Sequence, residues 1–291
     1  MKIGIIGAEN SHAAAIAKLI NVDKKIEDCE VTMLWGETKE FAEKTQKDGQ
    51  IPAVVADYHE MLGKVDGVII DHRDGKYHLP AATPFVKAGV PVFVDKPLCC
   101  DLAEGKRFLK LARKCKTPVT SFSIVSRQGS FAEFKKELAG LGNLAMGVSV
   151  GPCDIESQWG GIFFYGIHQV DLLLAAFGTE VVSAQVNLNG DYSTGTLYYK
   201  SGFVATMSLL KKNAPGFGVL AVGEKGTLYR PIVYDADSPF MQSTRTVVTM
   251  FRTRSEPEPY ADILARIAVL QALQRSITLK GKRVSVKSFA V

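Results

Sequence analysis

Val92-Phe93-Val94-Asp95-Lys96-Pro97 anchors the architecture of this chain. Three apolar residues, two of them β-branched, read as the end of a buried strand. They run into an acid, a lysine and a proline. Proline lacks the N–H that a central strand must donate, so the chain leaves the sheet at Pro97. In an open parallel sheet, ligands bind at the carboxyl ends of the strands. Lys96 therefore stands where a cation could meet a substrate, although alone it reads first as a solvated strand-end lysine.

Around this stretch, strand and helix patterns alternate. Residues 3–7 form an apolar strand, and 13–20 a helix with Asn10 or Ser11 as its N-cap. Strands follow at 29–35, 54–55 and 65–70, with helices over 38–47, 58–62 and 79–88. A helix over 101–115 and a strand at 118–122 complete the series. Such alternation predicts a right-handed, doubly wound parallel sheet, an α/β Rossmann-type domain over residues 1–122. Beyond residue 123 the rhythm changes. Helices over 130–139, 168–177 and 260–276 frame strands at 144–150, 181–188, 194–200, 203–210, 217–222, 227–234 and 244–250. Gly195 and Ser201-Gly202 read as turns between antiparallel strands. The pattern predicts an α+β domain over 123–291 built on a mostly antiparallel sheet.

The 291 residues fit two domains better than one core, and 46% hydrophobic with 22% charged residues is a globular composition. No apolar run reaches the ~18 residues of a membrane span. The apolar part of the N-terminus is too short for a signal peptide. The five cysteines show neither metal-ligand spacing nor a C-x-x-C pair, which predicts reduced thiols in a cytoplasmic protein. The net charge of +5 suits an anionic ligand, but it is spread along the chain. No basic block interleaved with aromatics points to nucleic acid.

Three places carry chemistry. The first is the turn Gly7-Ala8-Glu9-Asn10-Ser11-His12, where a dinucleotide fold carries G-x-G-x-x-G. Only the first glycine is present. Glu9 stands where a missing side chain would let the pyrophosphate approach, and a carboxylate that close to a phosphate costs about 1–4 kcal/mol unless it turns away. At the end of the second strand, Glu37 could accept a ribose hydroxyl pair, which favours NAD. Lys39 nearby could instead attract the 2′-phosphate of NADP. Asp71, at the end of the fourth strand, joins this cofactor-binding set, as does Lys96, which is the second place. The third is Gly166-Ile167-His168-Gln169-Val170-Asp171. His168 and Asp171 share a helix face, and neutral imidazole is a suitable proton acceptor. Capping or packing is the other reading of a lone helix-start histidine. The preceding Trp159, Gly160, Gly161 and Tyr165 are the mixture that lines a polyol pocket. No histidine shows metal-ligand spacing, and no metal site is expected.

Together these residues resemble the glucose–fructose oxidoreductase, inositol dehydrogenase and rhizopine-catabolism (Gfo/Idh/MocA) family over nearly the whole chain. Ile3-Gly4-Ile5-Ile6-Gly7 is similar to its opening strand. Val65-Asp66-Gly67-Val68-Ile69-Ile70 with His78 resembles its fourth-strand region, and Asp95-Lys96-Pro97 its Glu-Lys-Pro motif with Asp for Glu. Arg127 falls where the family has an arginine after the sixth strand. Gly166 to Asp171 resembles its Gly-x-His-x-x-Asp helix, and Gly223 to Leu228 its late Gly-x-x-Gly-x-Leu turn. The resemblance implies a Rossmann domain binding NAD or NADP, and Lys96 and His168 as catalytic residues with Asp171 in support. It implies a cis Lys96–Pro97 bond, and a homodimer or homotetramer formed through the second sheet. Arg127, Trp159 and Tyr165 are expected on the substrate. Phe164 departs from the pattern, standing where the family often places an aspartate.

The expectation is an NAD(P)-dependent oxidoreductase transferring hydride to or from a sugar, polyol or related hydroxy compound. The alternatives are an inactive ligand-binding or regulatory member, and lyase or hydrolase chemistry with the cofactor retained.

Overall fold

A computed structural model describes residues 1–214 and 216–289. The first strands, β1 (Lys2–Ile6) and β2 (Glu30–Trp35), flank the helix α1 (Ser11–Ala17). Helix α2 (Lys39–Gly49) leads to β3 (Ala53–Val54), then β4 (Gly67–Ile70), helix α3 (His78–Lys87) and β5 (Val92–Val94). Helix α4 (Leu102–Cys115) and β6 (Val119–Thr120) complete a parallel sheet in the order β3-β2-β1-β4-β5-β6. This is the doubly wound Rossmann order, with its crevice where the order reverses between β1 and β4. All of β4 and β5 is buried, as continuous apolar runs require of strands covered on both faces.

Helix α5 (Gly129–Glu137) and β7 (Leu144–Val150) open the second half, followed by helix α6 (Ile162–Phe177). Strands β8 (Val181–Asn187), β9 (Tyr192–Tyr199), β10 (Val204–Leu210), β11 (Gly218–Gly223) and β12 (Gly226–Pro231) follow. Helices α7 (Met241–Thr253) and α8 (Tyr260–Thr278) precede a short β13 (Val284–Ser285). The second sheet runs β12-β11-β7-β10-β9-β8-β13 and is antiparallel except between β7 and β10. One continuous apolar core links the two sheets. Helix α8, buried on nearly every side, takes part in it together with Leu109 of α4, Val170 of α6 and Val186 of β8. No helix of the described residues is long and apolar enough to cross a membrane, and the five thiols are unpaired.

Three expectations from the sequence need correction. Residues 244–250, rich in Thr and Val, are helical within α7. Met241, Thr244, Val248 and Phe251 recur at helical spacing and are buried, and α7 packs on the first sheet beside Ile3, Ile5 and Ile69. Tertiary burial outweighs β-propensity there. Phe251 comes so close to β4 that any side chain at Gly67 would strike its ring. Gly195 is not a turn but lies mid-strand in β9, opposite Met207 of β10. The helix carrying His168 begins at Ile162, six residues earlier than expected, so Phe164 and Tyr165 lie in its first turn.

Candidate active site

The turn after β1 is shaped by Gly7. Its φ is +113°, and a Cβ there would lie 2.5 Å from the carbonyl carbon of Asp71, so only glycine fits. One oxygen of the Glu37 carboxylate accepts the Ala8 and Glu9 N–H groups at 2.8 and 3.0 Å. The other oxygen is buried without a partner among the described residues. Beside it opens a cavity of about 580 Å³, floored by Trp35, Val54, Val55 and Ala56 and reached by Lys39. An apolar floor with one orphaned carboxylate oxygen fits the adenosine end of a dinucleotide, whose ribose hydroxyls could donate to Glu37. Burial raises the Glu9 carboxyl; the positive charge of Arg73 opposes this and the charge of Glu37 adds to it.

Next to the turn, the ends of α1, β4 and β5 bring together Asn10, His12, Asp71, Asp95 and Lys96. The Asn10 side chain does not cap α1. Its amide donates instead to Asp71 at 3.0 Å and Asp95 at 3.2 Å. His12 Nδ1 lies 3.1 Å from Asp95, and Lys96 Nζ 3.8 Å from it. Burial raises Asp71 well above the ordinary carboxylate range, and the charge of Asp95 adds to this. Asp95 is equally buried, but His12 and Lys96 outweigh its desolvation and hold it below that range. Burial and their mutual repulsion thus push the two apart, Asp71 toward the neutral acid and Asp95 toward the carboxylate. One ring nitrogen of His12 and one oxygen each of Asp71 and Asp95 lie within 4.8 Å of one another, a grouping that could accept a cation. The donors of Asn10 and Lys96 already compensate it. The Lys96–Pro97 peptide is cis.

Across the cleft, α6 presents Phe164, Tyr165 and His168. Lys96 Nζ lies 5.1 Å from the ring centre of Phe164 and 5.9 Å from that of Tyr165. The Tyr165 and His168 rings are 5.4 Å apart. His168 Nδ1 is 2.7 Å from Ser123 Oγ, which also accepts the Val125 N–H at 3.0 Å. Burial first, and then the charge of Lys96, push His168 well below the usual imidazole range, so it is neutral at working pH. If Nδ1 carries the ring hydrogen and donates it to Ser123, Nε2 keeps a free lone pair.

The predicted site residues divide accordingly. Lys96, His168 and Tyr165 meet in one cleft, with Trp159 at its edge against Arg73, and Gly7 to His12, Glu37 and Asp71 gather at the sheet ends. Asp171 does not touch His168. It accepts the Ser123 N–H at 3.3 Å, bonds to Ser126 and pairs with Arg266, so any support of the histidine passes through Ser123. Arg127 is engaged elsewhere, paired with Glu258 at 3.3 Å and lying over the Phe122 ring. Sequence reasoning missed Ser123, Ser126 and Arg73. Only Arg73 carried a signal, through its place just past the fourth strand.

Comparison with known proteins bears on this geometry. The family described as "Oxidoreductase family, NAD-binding Rossmann fold" (GFO_IDH_MocA) matches residues 1–122. A search of curated proteins returns no match. Among solved structures, myo-inositol 2-dehydrogenase from Lactobacillus plantarum superposes with a TM-score of 0.85 at 18% identity, covering 99% of both chains. Scyllo-inositol dehydrogenase from Lactobacillus casei, solved with NAD(H) and scyllo-inositol, gives 0.84 at 17% identity, covering 99% of both chains. At such identities these likenesses establish a shared fold. Residues 1–122 thus match the NAD-binding Rossmann domain of the Gfo/Idh/MocA oxidoreductase family.

Proposed function

We propose that the protein is an NAD-dependent dehydrogenase of a sugar, polyol or related hydroxy compound. Residues 1–122 bind the dinucleotide in this reading, and residues 123–291 supply the substrate-facing helix. The observation that carries it is the meeting of Lys96, just past β5, with His168, from α6, across one cleft. When bound, the nicotinamide dinucleotide accepts the hydride. Neutral His168 takes the hydroxyl proton on Nε2, and the Lys96 ammonium steadies the oxygen as it becomes a carbonyl. Ser123 holds the imidazole, and the Asp171–Arg266 pair holds the Ser123 segment. Tyr165 and Trp159 form walls of the cleft.

Titration with NADH and NADPH tests the reading. Binding of either is expected as a fluorescence change and a thermal shift; neither signal at millimolar cofactor overturns the dehydrogenase. NADH should bind at least ~10-fold tighter than NADPH, because a 2′-phosphate would meet the Glu37 carboxylate in a part-buried site. Lys39 offers little relief, being exposed and paired with Glu43. Equal affinities would remove Glu37 from the ribose.

We also infer self-association through the outer face of the second sheet, where Met146, Val150, Val182, Tyr192 and Tyr229 are exposed. Exposed apolar side chains gathered on one sheet face favour an interface. Light scattering should report a dimer or tetramer, and a monodisperse monomer contradicts this.

A further inference from the structure

The loop after β4 places Arg73 half-buried at the cleft, facing the second domain. Its guanidinium carbon lies 5.0 Å from the centre of the Trp159 ring and 5.5 Å from that of Phe164. It has no ion-pair or hydrogen-bond partner among the described residues. The neighbouring acid Asp74 is occupied within its own turn, accepting the Lys76 N–H at 3.0 Å and pairing with the Lys76 ammonium at 2.9 Å. The Phe164 ring therefore has two cations near it, Arg73 and Lys96. Lys96 has a carboxylate within ion-pair distance, Asp95 at 3.8 Å, whereas Glu9, the acid whose carboxyl feels the charge of Arg73, forms no ion pair with it among the described residues. No acid of α6 faces them, since its first turn is Ile162-Phe163-Phe164-Tyr165.

A guanidinium beside aromatic rings keeps its N–H edge available for the two oxygens of one carboxylate, the geometry for which arginine is suited. Leaving that edge without an anion in a half-buried cleft forfeits the gain. From this arrangement the geometry points to a substrate that carries a carboxylate, held by Arg73, with its reacting hydroxyl at Lys96 and His168. The inference rests on the dehydrogenase reading and names its substrate class, a hydroxy acid of the sugar-acid type. Both cations lie within 5.5 Å of one ring centre, so they are at most about 11 Å apart. That bound admits a hydroxy acid whose carboxylate and reacting hydroxyl lie on one chain of up to about six carbons, each end held by a charge-assisted contact of ~2.8 Å. The reaction remains the oxidation of the carbinol: the C–H bond gives hydride to NAD⁺, the O–H proton goes to His168, and the carboxylate is unchanged.

The test compares matched acids and neutral counterparts on the intact protein: D-gluconate with sorbitol, and D-glucuronate with glucose. Calorimetry is run with and without NADH, and turnover is followed with NAD⁺. The acids are expected to bind or react at least ~10-fold better than their counterparts. In Arg73→Met, which keeps the stem against Trp159, that preference should collapse to near one through KM, with the Kd for NADH within ~3-fold of wild type. Neutral compounds favoured over acids, or no difference between them, overturns the inference. A rise in the Kd for NADH that matches the loss for acids also overturns it, because the anion is then the cofactor's pyrophosphate. Failure of the dehydrogenase reading is separately visible, as absence of NADH binding while the acids can still be titrated alone.

Discussion

Lys96→Met is expected to lower kcat by about 10³-fold or more while leaving the Kd for NADH within ~3-fold. Methionine keeps the stem packing of a side chain that is 5% exposed and removes only the charge. The charge is what the reaction needs, because the oxygen becomes most negative as the hydride leaves, in a cleft where Nζ stands between Asp95 and the Phe164 and Tyr165 rings. Losing such a group removes about 4 kcal/mol of transition-state stabilisation. Asp95 is not left bare, since Asn10 and His12 still donate to it, so the variant should fold. Steady-state rates and cofactor titration on the same preparation read both quantities. Unchanged turnover would take Lys96 out of the chemistry.

The folded protein should also lose stability steeply as the pH falls from 7 to 4.5. Burial, helped by the charge of His78, pushes His72 down to about 4, and burial with Lys96 pushes His168 well below its usual value. Both rings stay neutral in the native state, whereas in the unfolded chain they take a proton below about 6.5. The unfolded state then binds more protons, so stability is present above that pH and is lost as pH drops toward the folded values. For His72, which is 6% exposed, the loss is on the order of 3 kcal/mol. Asp71 works the other way, because its raised native pKa lets the folded state hold a proton that the unfolded chain releases. His78 is set aside: its two ring nitrogens face the carbonyls of Pro97 and His72, and only a protonated ring can donate to both, which opposes its burial. Urea midpoints at pH 7, 5.5 and 4.5 measure the effect, which should be smaller in His72→Asn. A pH dependence in His72→Asn identical to that of the wild-type protein would show that His72 is not held neutral.

Local pattern by itself determined the first sheet, because β1, β4 and β5 are continuous apolar runs that can only be buried parallel strands. It also determined that Lys96 ends β5, since Pro97 cannot continue a strand, and that Gly7 makes the turn after β1. The tertiary structure decided what lies beyond the reach of neighbouring residues. Thr and Val at 244–250 became helix because the first sheet offered α7 an apolar face. Asp171, one turn from His168, turned away because Arg266, nearly a hundred residues along, supplies a buried charge that a carboxylate must answer. Arg73 acquired meaning only when the cleft set it between Trp159 and Phe164, residues that no spacing rule connects to it. Strand order and turns follow from forces acting over a few residues, whereas the partners of buried charges are chosen by packing that brings distant segments together.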